Sequence, residues 1–416
     1  MVISKRSLKE AFVYLLPLLS ILLQWVSVAG INMSWLLSMY LLFSIVTRNK
    51  VVFKKNVTVA IFLIAVIVPL INFLFGKAQS FNITLYISIV TGVVFLLYVV
   101  SLENDLFIKF LNGSLTACIL FSIWGEYEVV TGHYILSNNV VFTEGLNWNN
   151  THYPIAAFPN TNDIAQFLVM LFPISSYSLL KKNKVVWAIA TILVFGVIYA
   201  SASRLCMMAF VIIWFITLSI KLLLENRAKS FIKLLMTVFA ICICLSILEA
   251  ETGLVTSVII NFMKVDSNAA YYGARSDIYS TVFNTALKLP FGGFGSAYEV
   301  YVMPPHNLFL YILCDYGWIP ALLFVSLLIM LAVIFFKQMR RAPHDLQYYL
   351  LFSSLCMFPV LSCVSSTNEQ RKIIWMILGI MINRYYYLKS RKHIVDNKRQ
   401  DDGRVYEHTI CVREFG

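Results

Sequence analysis

Charged residues are scarce in this sequence of 416 residues. Asp, Glu, Lys and Arg make up 13% of the chain, whereas 59% is hydrophobic and the mean hydropathy is +0.77. An ordinary soluble domain is about a quarter charged and about half apolar, so this composition excludes a soluble globular fold. The repeated apolar runs instead predict an integral membrane protein with one membrane domain.

The sequence also lacks the patterns of disulfide, metal and nucleotide sites. Its eight cysteines lie almost all inside apolar runs and include no Cys-x-x-Cys pair, which favours packing residues over a disulfide framework. No acidic cluster resembles a metal cage, and no glycine-rich loop precedes a Lys-Ser or Lys-Thr pair. We therefore expect no metal, no cofactor and no nucleotide hydrolysis, which disfavours an energised pump.

Apolar windows near bilayer-spanning length predict about 12 transmembrane helices. Each window is bounded by polar or turn-forming residues, and no internal repeat relates one half of the chain to the other. The windows lie near residues 11–30, 33–46, 57–75, 83–101, 107–129, 162–180, 185–200, 205–223, 231–248, 307–336, 348–365 and 371–388.

The basic residues favour one orientation of these helices. If the N-terminus is cytoplasmic and the spans alternate, 26 of the 33 Lys and Arg residues fall on the inside, as the positive-inside rule requires. Topology thus explains the net charge of +12, and no nucleic acid partner is expected. Both termini are predicted to be cytoplasmic. The seven outer basic residues are Lys77, Arg204, Lys264, Arg275, Lys288, Arg371 and Lys372.

Residues 1–388 are predicted to form a single transmembrane domain with two long outer loops, about 130–161 and about 249–306. The first loop has no Lys or Arg and is rich in Asn, Thr, Tyr and Trp, which are groups that bind sugars. Trp148 and Tyr153 are equally explained as interfacial anchors. Residues 389–416 are polar and without apolar period, so we expect a disordered cytoplasmic tail.

The second loop contains an amphipathic pattern from Ser276 to Leu289, whose apolar residues recur at steps of three and four. This pattern predicts a helix lying at the membrane interface. Ser276 is a candidate N-cap and Pro290 ends the helix, so Arg275 would stand beside free backbone amides and the positive end of the helix dipole. That combination suits a phosphate, although a lone loop arginine is usually only solvated. The glycine run at 291–295 that follows is flexible backbone able to approach a ligand closely.

Arg204 and His306 are two further candidates for chemistry. Arg204 breaks two apolar runs at the outer surface, where it would either bind an anion in an outward cavity or snorkel as the end of a helical hairpin. His306 follows two prolines at a predicted helix start, whose dipole favours a neutral imidazole that accepts a proton. The alternative for His306 is a capping or packing role.

Two carboxylates inside or beside apolar runs are compatible with either structural or functional roles. Asp163 begins the sixth span, where it would serve as an N-cap or would bind an acceptor sugar. Asp315 lies among apolar residues before Gly317 and is either functional or interfacial.

Three segments together resemble the O-antigen ligase and polysaccharide polymerase superfamily of bacterial membrane proteins. The first, 158–165, is Phe-Pro-Asn-Thr-Asn-Asp-Ile-Ala, and the second is Ser203-Arg204. The third runs from Gly-Ala-Arg at 273–275 through Pro-Phe-Gly-Gly-Phe-Gly at 290–295 to His-Asn-Leu-Phe-Leu at 306–310 and Tyr-Gly at 316–317. The family-like core covers about residues 155–335.

The resemblance implies a GT-C-like membrane fold and a metal-independent, inverting glycosyltransferase. Its donor would be a glycan on a polyprenyl diphosphate, and its acceptor a second lipid-linked glycan, at the outer face of the bacterial cytoplasmic membrane. A polymerase of repeat units is favoured over a ligase, because polymerases are the more numerous members. The resemblance also implies a flippase and a chain-length regulator as partner proteins, besides the bilayer itself.

The same resemblance assigns roles to residues. Arg204 and Arg275 would bind the diphosphate, and His306 would activate the acceptor hydroxyl. Acceptor or secondary roles fall to Asn160, Asn162, Asp163, Asn307 and Asp315. The rival class is a transporter or flippase, which predicts paired broken helices in both halves of the chain.

Overall fold

Helices account for nearly all of the residues that the computed structural model describes, namely 5–28, 31–48, 56–74, 83–135, 152–201, 203–224, 232, 269–293, 307–364 and 372–402. Within these ranges two strands, β1 (Ser27–Val28) and β2 (Ile31–Asn32), pair as one short antiparallel hairpin. The predicted all-α class is confirmed.

The helices follow the apolar windows in chain order. Two segments in the described residues are π-helical, Leu63–Ile67 and Ile312–Tyr316. The α-helices are α1 (Lys5–Leu22), α2 (Met33–Arg48), α3 (Asn56–Phe62), α4 (Val68–Leu74), α5 (Ile83–Ser101), α6 (Asn104–Thr131), α7 (Thr161–Ser175), α8 (Tyr177–Lys182), α9 (Lys184–Ala200), α10 (Arg204–Leu224), α11 (Ala269–Lys288), α12 (Leu308–Tyr311), α13 (Trp318–Arg341), α14 (Leu346–Leu361) and α15 (Lys372–Asp402).

The described helices have the length and composition of an all-α membrane protein. Four stretches, in the regions of α1, α6, α10 and α13, are long and apolar enough to cross a membrane, and shorter apolar helices accompany them. The total of about 12 spans stays a prediction, because the window at 231–248 lies outside the described residues apart from residue 232. The four stretches are Arg6–Trp25, Asn104–Thr131, Arg204–Leu224 and Trp318–Arg341.

Two predicted spans are each divided in the structure. The window 307–336 is divided at Gly317, which adopts a φ of 94° that no α-helix accommodates. The window 162–180 is divided at Ser176 between α7 and α8. Both breaks lie at small residues inside otherwise apolar runs, which hydropathy alone does not resolve.

The end of the chain also differs from the prediction. The sequence predicts that the last span ends at residue 388 before a disordered tail, but α15 continues to Asp402. No Gly or Pro occurs between Lys389 and Asp402, and Gly403 is the first helix-breaking residue after them. Residues 389–402 are therefore helical, and residues 403–416 lie outside the described part of the chain.

Helix α7 lies at the centre of the bundle. Every residue from Asp163 to Ser175 is buried, and the helix packs against α6, α9, α10, α14 and α15. The buried polar residues Asp163 and Gln166 fit a helix that is surrounded by protein and not by lipid. The first turn of α7, where the family-like motif 158–165 enters the helix, is thereby held within the bundle.

Small residues allow neighbouring helices to approach one another closely. A Cβ atom at Gly113 of α6 would lie against the backbone of Tyr14 in α1, and one at Gly379 of α15 would meet Leu96 and Val99 of α5. Close backbone contact at small residues is a main source of helix association in membranes, where apolar burial between helices gains little.

Basic residues cluster at one end of the bundle, which we call the basic end. It contains the starts of α1, α6 and α14 and the ends of α8 and α13. Arg6 pairs with Glu10 and with Asp105 across the starts of α1 and α6. The final turns of α8 and α13 carry two basic residues each, Lys181 and Lys182 in the first and Arg340 and Arg341 in the second. This asymmetry follows the predicted orientation, whose cytoplasmic assignment stays a prediction.

Asn383 of α15 satisfies the carbonyl groups at the end of α5. Its Nδ2 donates to the carbonyl oxygens of Val99 at 3.0 Å, Val100 at 3.3 Å and Leu102 at 2.8 Å, and the side chain is buried.

We expect Asn383→Leu to lower the unfolding free energy by about 1–3 kcal/mol, because buried carbonyls lose their donor. Thermal unfolding in detergent measures this. The exposed Ser390→Ala on the same helix is the control, and equal stability of the two variants would contradict the assignment.

Candidate functional site

The parts of the family-like motifs that the structure describes at the starts of α7, α10 and α12 lie at the end of the bundle opposite to the basic end, which we call the site end. It contains the starts of α7, α10 and α12 and the ends of α6 and α14. The junctions at this end join segments that are far apart in sequence. Hydrogen bonds to backbone groups stabilise most of these junctions.

The start of α7 is fixed by Asn160. Its side-chain oxygen accepts a hydrogen bond from the backbone N–H of Asp163 at 3.0 Å, so Asn160 is the N-cap. Asp163, which the sequence favours as the cap, lies instead in the first turn and is only 3% exposed. Asn162 between them is partly exposed. The capping role and the buried carboxyl group thus belong to two different residues.

The chain leading into Asn160 is buried although it is not helical. Tyr153 is 4% exposed, so its ring offers no open face for stacking on a sugar, and Trp148 lies outside the described residues. Ala156 adopts a φ of 47°, the left-handed region that alanine rarely occupies. We call this segment, residues 153–158, the entry loop. Burial raises the pKa of the Tyr134 phenol and Glu128 raises it further, so the phenol stays protonated and donates to the Tyr153 carbonyl.

Glu128 of α6 fastens the entry loop, and sequence reasoning did not single it out. Its side chain is fully buried, and its Oε2 accepts hydrogen bonds from the backbone N–H groups of Ile155 at 2.8 Å and Ala156 at 2.7 Å. The indole of Trp124, one turn earlier in the same helix, lies beside the carboxyl group. The sequence does contain a signal for this residue, namely a glutamate inside a predicted transmembrane span. Glutamates are rare there unless they have a structural or functional role.

Arg204 is the first residue of α10 and is half-buried. Ser203 before it and Cys206 after it are buried. The Cys206 thiol lies beside Ser203 and within electrostatic reach of Asp163. The starts of α7 and α10 are therefore neighbours, and this brings the first two family-like segments together.

The start of α12 joins the same group through the end of α14. Asn307 caps α12, since its Oδ1 accepts from the backbone N–H groups of residues 309 and 310. The backbone N–H of Leu308 donates to the carbonyl of Ser362, the residue that follows α14. Gln166 of α7 donates to the neighbouring Leu361 carbonyl at 2.7 Å. Helices α7 and α12 thus share one attachment point, and His306, directly before Asn307, lies outside the described residues.

Helix α11 begins earlier than predicted, and this changes the backbone surroundings predicted for Arg275. The helix begins at Ala269 rather than at Ser276, and it continues through Gly273 although glycine has a low helix propensity. Arg275 is therefore inside the helix and not beside its first turn, so the predicted helix start immediately after Arg275 is wrong. The role of Arg275 in binding a phosphate stays a prediction. The end of the helix at Lys288, shortly before Pro290, agrees with the prediction.

The apolar stripe of α11 packs on the protein. Ile278, Val282 and Ala286 are buried against the segment 310–314, which continues α12. Phe283 and Leu287, on the flank of the stripe, are 43% and 49% exposed. The centre of the apolar face is thus covered by protein, and the predicted position of this helix at the membrane interface stays a prediction.

A glycine crossing fixes the end of α11 against α13. Gly292 and Gly317 have φ angles of 82° and 94°, and a Cβ atom at either would lie within 2.7 Å of the other segment's backbone. The N–H of Gly293 donates to the Cys314 carbonyl at 2.9 Å, and that of Trp318 donates to the Pro290 carbonyl at 3.0 Å. The sequence predicts that this glycine run approaches a ligand, but Gly292 approaches another part of the chain.

Asp315 lies beside this crossing and is 1% exposed. Asn72 at the end of α4, itself buried, donates from Nδ2 to the Asp315 carbonyl at 3.2 Å. The crossing is thereby tied to the first half of the chain. The side chain of Asp315 is enclosed by the protein, which fits an intramembrane functional residue as well as a structural one.

Among the residues that the structure describes, no three His, Cys, Asp or Glu side chains group closely enough to hold a metal ion. No protein-family model matches the chain, and no curated protein matches it either. The functional interpretation therefore depends on the residues and on the resemblance of their motifs.

Alanine at Gly317 or Gly292 is expected to destabilise the protein strongly. A left-handed φ costs alanine about 1–2 kcal/mol, and the added Cβ also overlaps backbone atoms that cannot move aside. We expect a lower melting temperature and less folded protein in membranes, measured by fluorescence-detected size exclusion.

Gly196→Ala is the matched control for this prediction. A Cβ atom at Gly196 would meet the tip of the Glu126 side chain, which is free to rotate away. If Gly317→Ala were as stable as Gly196→Ala, the crossing would not have the importance assigned to it.

Proposed function

We propose that this protein is an inverting glycosyltransferase that polymerises polyprenyl-diphosphate-linked oligosaccharide repeat units on the outer face of the bacterial cytoplasmic membrane. The observation that carries the proposal is the junction of the starts of α7, α10 and α12 at the end of α14. The first two family-like segments and the residues of the third from 307 onward adjoin this junction, although the first begins at residue 158 and the third ends at residue 317.

The position of Arg275 supports a common site. The backbone of Arg275 lies in α11 one turn before Ile278, the first residue of the buried stripe that continues to Val282 and Ala286. The indole of Trp318 donates to the Ala286 carbonyl, and α11 also contacts α12. The two segments therefore run parallel, and the backbone at residue 275, about three turns before Ala286, falls level with the start of α12.

In the proposed reaction, a hydroxyl of the acceptor glycan attacks the anomeric carbon of the donor glycan. His306 accepts the hydroxyl proton as the new carbon–oxygen bond forms. The bond between the anomeric carbon and the diphosphate oxygen breaks, and its electron pair leaves with the lipid diphosphate. Arg204 and Arg275 stabilise the charge that develops on this leaving group. Attack from the face opposite to the diphosphate inverts the anomeric centre.

The remaining polar groups at the junction are assigned to the acceptor side. Asn162 is partly exposed beside the buried Asp163, and both follow the Asn160 cap, so the start of α7 offers groups for sugar hydroxyls. Asn307 uses its side-chain oxygen on the α12 backbone, which assigns it to holding the helix start next to His306. Asp315 is assigned to the support of the α11 end.

Two alternatives use the same residues or the same spans. A ligase would transfer a complete lipid-linked glycan to a different acceptor. The ligases and the polymerases of the resembled superfamily share the same motifs, so the motifs do not distinguish the two activities. A transporter would need broken helices in both halves of the chain near the middle of the membrane. Both halves do carry a π-helical segment, Leu63–Ile67 and Ile312–Tyr316, which is the observation that favours this second candidate.

Arg275→Ala and His306→Ala are expected to abolish polymer while protein abundance and lipid-linked single repeat units remain. Removing a charge that stabilises the leaving group, or the base, raises the barrier of the chemical step by about 3–4 kcal/mol, which is roughly a hundredfold or more in rate. Arg204→Lys should retain part of the activity lost in Arg204→Ala, since lysine keeps the charge but not the planar fork. Electrophoretic glycan profiles of complemented deletion cells measure all four variants.

Lys288→Ala and His133→Ala are the matched controls, because they remove an exposed cation of α11 and an exposed histidine near the first outer loop. Normal polymer in both Arg275→Ala and His306→Ala would overturn the mechanism. In the deletion strain, products with one repeat unit indicate a polymerase, and full-length lipid-linked polymer indicates a ligase. A block in delivery of lipid-linked units to the outer face would instead indicate a transporter.

A further inference from the structure

One oxygen of the buried Glu128 carboxyl group accepts hydrogen bonds from the protein backbone, whereas the other oxygen, Oε1, has no hydrogen-bond partner within the described part of the chain. The backbone N–H groups of Ile155 and Ala156 both donate to Oε2, and the indole of Trp124 lies close to the same group. The side chain has no exposed surface, although a glutamate in an apolar helix is costly to bury. This cost indicates that Glu128 has a task that an apolar residue of the same size would not perform.

The two backbone donors form a concave site for the carboxyl oxygen. Successive N–H groups converge on one acceptor when neighbouring residues adopt right-handed and left-handed conformations in turn, an arrangement that binds anionic oxygens. Ala156 supplies the left-handed residue with its φ of 47°. Because alanine disfavours this conformation, the entry loop needs an outside group to hold it, and Glu128 supplies that group.

The entry loop is packed against neighbouring helices and leads directly into the first turn of α7. The Trp25 indole donates to the Ala157 carbonyl at 2.5 Å, and the ring of Phe158 packs between Phe121 and Phe167 at centroid distances of 5.2 and 5.1 Å. Asn160, the cap of α7, follows two residues later. A shift of the entry loop would therefore move the first turn of α7.

We propose that Glu128 is a positioning residue that holds the entry loop so that Asn160 and Asp163 stand beside the start of α10, the helix that carries Arg204. The side chain acts through the backbone of Ile155 and Ala156 and does not touch the substrate. Its effect on catalysis rests on the proposed function, whereas its effect on the loop does not.

Hydrogen exchange followed by mass spectrometry tests the loop directly, using the full-length protein in nanodiscs. The informative amides are those of Phe158 and Asp163, whose acceptors are the Ile155 carbonyl and Asn160. Glu128 is not their acceptor, so faster exchange there reports a displaced loop. We expect Glu128→Ala to accelerate exchange at both amides by roughly tenfold or more while exchange in α14 is unchanged.

Two further variants separate positioning from general stability. Ala156→Gly removes the conformational penalty, so Glu128→Ala with Ala156→Gly should restore slow exchange at Phe158 and Asp163 to within about threefold of the native protein. Glu126→Ala is the control, because Glu126 on the same helix faces Gly196 of α9. If Glu128→Ala does not fold, Glu128→Gln is used in its place, because glutamine keeps one carbonyl oxygen as an acceptor. We expect Glu128→Gln to accelerate amide exchange less than Glu128→Ala would. Adding Ala156→Gly should again restore slow exchange.

Uniform acceleration across α7 and α14, or no rescue by glycine, would overturn the positioning role. Unchanged exchange in every variant would do the same. Polymer output of the same variants is the second readout, and it should fall with Glu128→Ala and recover with the added glycine. If the native protein proves to make no polymer, the proposed function fails, and the exchange result still decides the role of Glu128.

Discussion

The site end depends on one constraint, which is that a non-helical segment enters the start of a helix buried on every side. Backbone groups in such a place have no water to bind, so the protein has to supply each partner. Glu128, Tyr134 and Trp25 supply partners for the entry loop, and Asn160 supplies one for α7. With these bonds in place, the starts of α10 and α12 can pack against a fixed surface.

The glycine crossing extends this arrangement to the second of the two loops that the sequence predicts to be on the outer side. It joins the end of α11 to the start of α13, and Asn72 links the crossing to α4. The apolar stripe of α11 then lies along the continuation of α12. In the proposed enzyme, the two halves of the diphosphate site would be carried by separate elements, Arg204 by α10 and Arg275 by α11, held together by the packing of the loops.

Much of the fold could be predicted because hydropathy and helix stops have direct physical causes. The apolar windows, the end of α11 before Pro290 and the stripe of Ile278 and Val282 all follow from periodicity or from missing backbone donors. The start of α11 could not be predicted, since the residues before Arg275 are compatible with either helix or loop. The break at Gly317 depends on a contact with Gly292 that spacing alone does not reveal.

The candidate site was predictable in its motifs but not in its supports. Glu126 and Glu128 are the same residue type two positions apart in α6, yet only Glu128 meets the entry loop. Which of the two faces inward depends on the rotation of α6 against its neighbours, and a single sequence does not contain that information. The cap of α7 is a similar case, because Asn160 and Asp163 are both good caps by type. The roles of Arg275 and His306 stay predictions.

Helix α15 determines how far the C-terminal part of the chain stands from the rest. Its first residue is attached to α1, because Lys372 donates to the Ser20 carbonyl, and Asn383 attaches it to the end of α5. At about 1.5 Å per residue, the part from Asn383 to Asp402 is about 28 Å long. A fusion partner or an affinity tag placed after this helix would therefore be held clear of the bundle, on the side away from the entry loop.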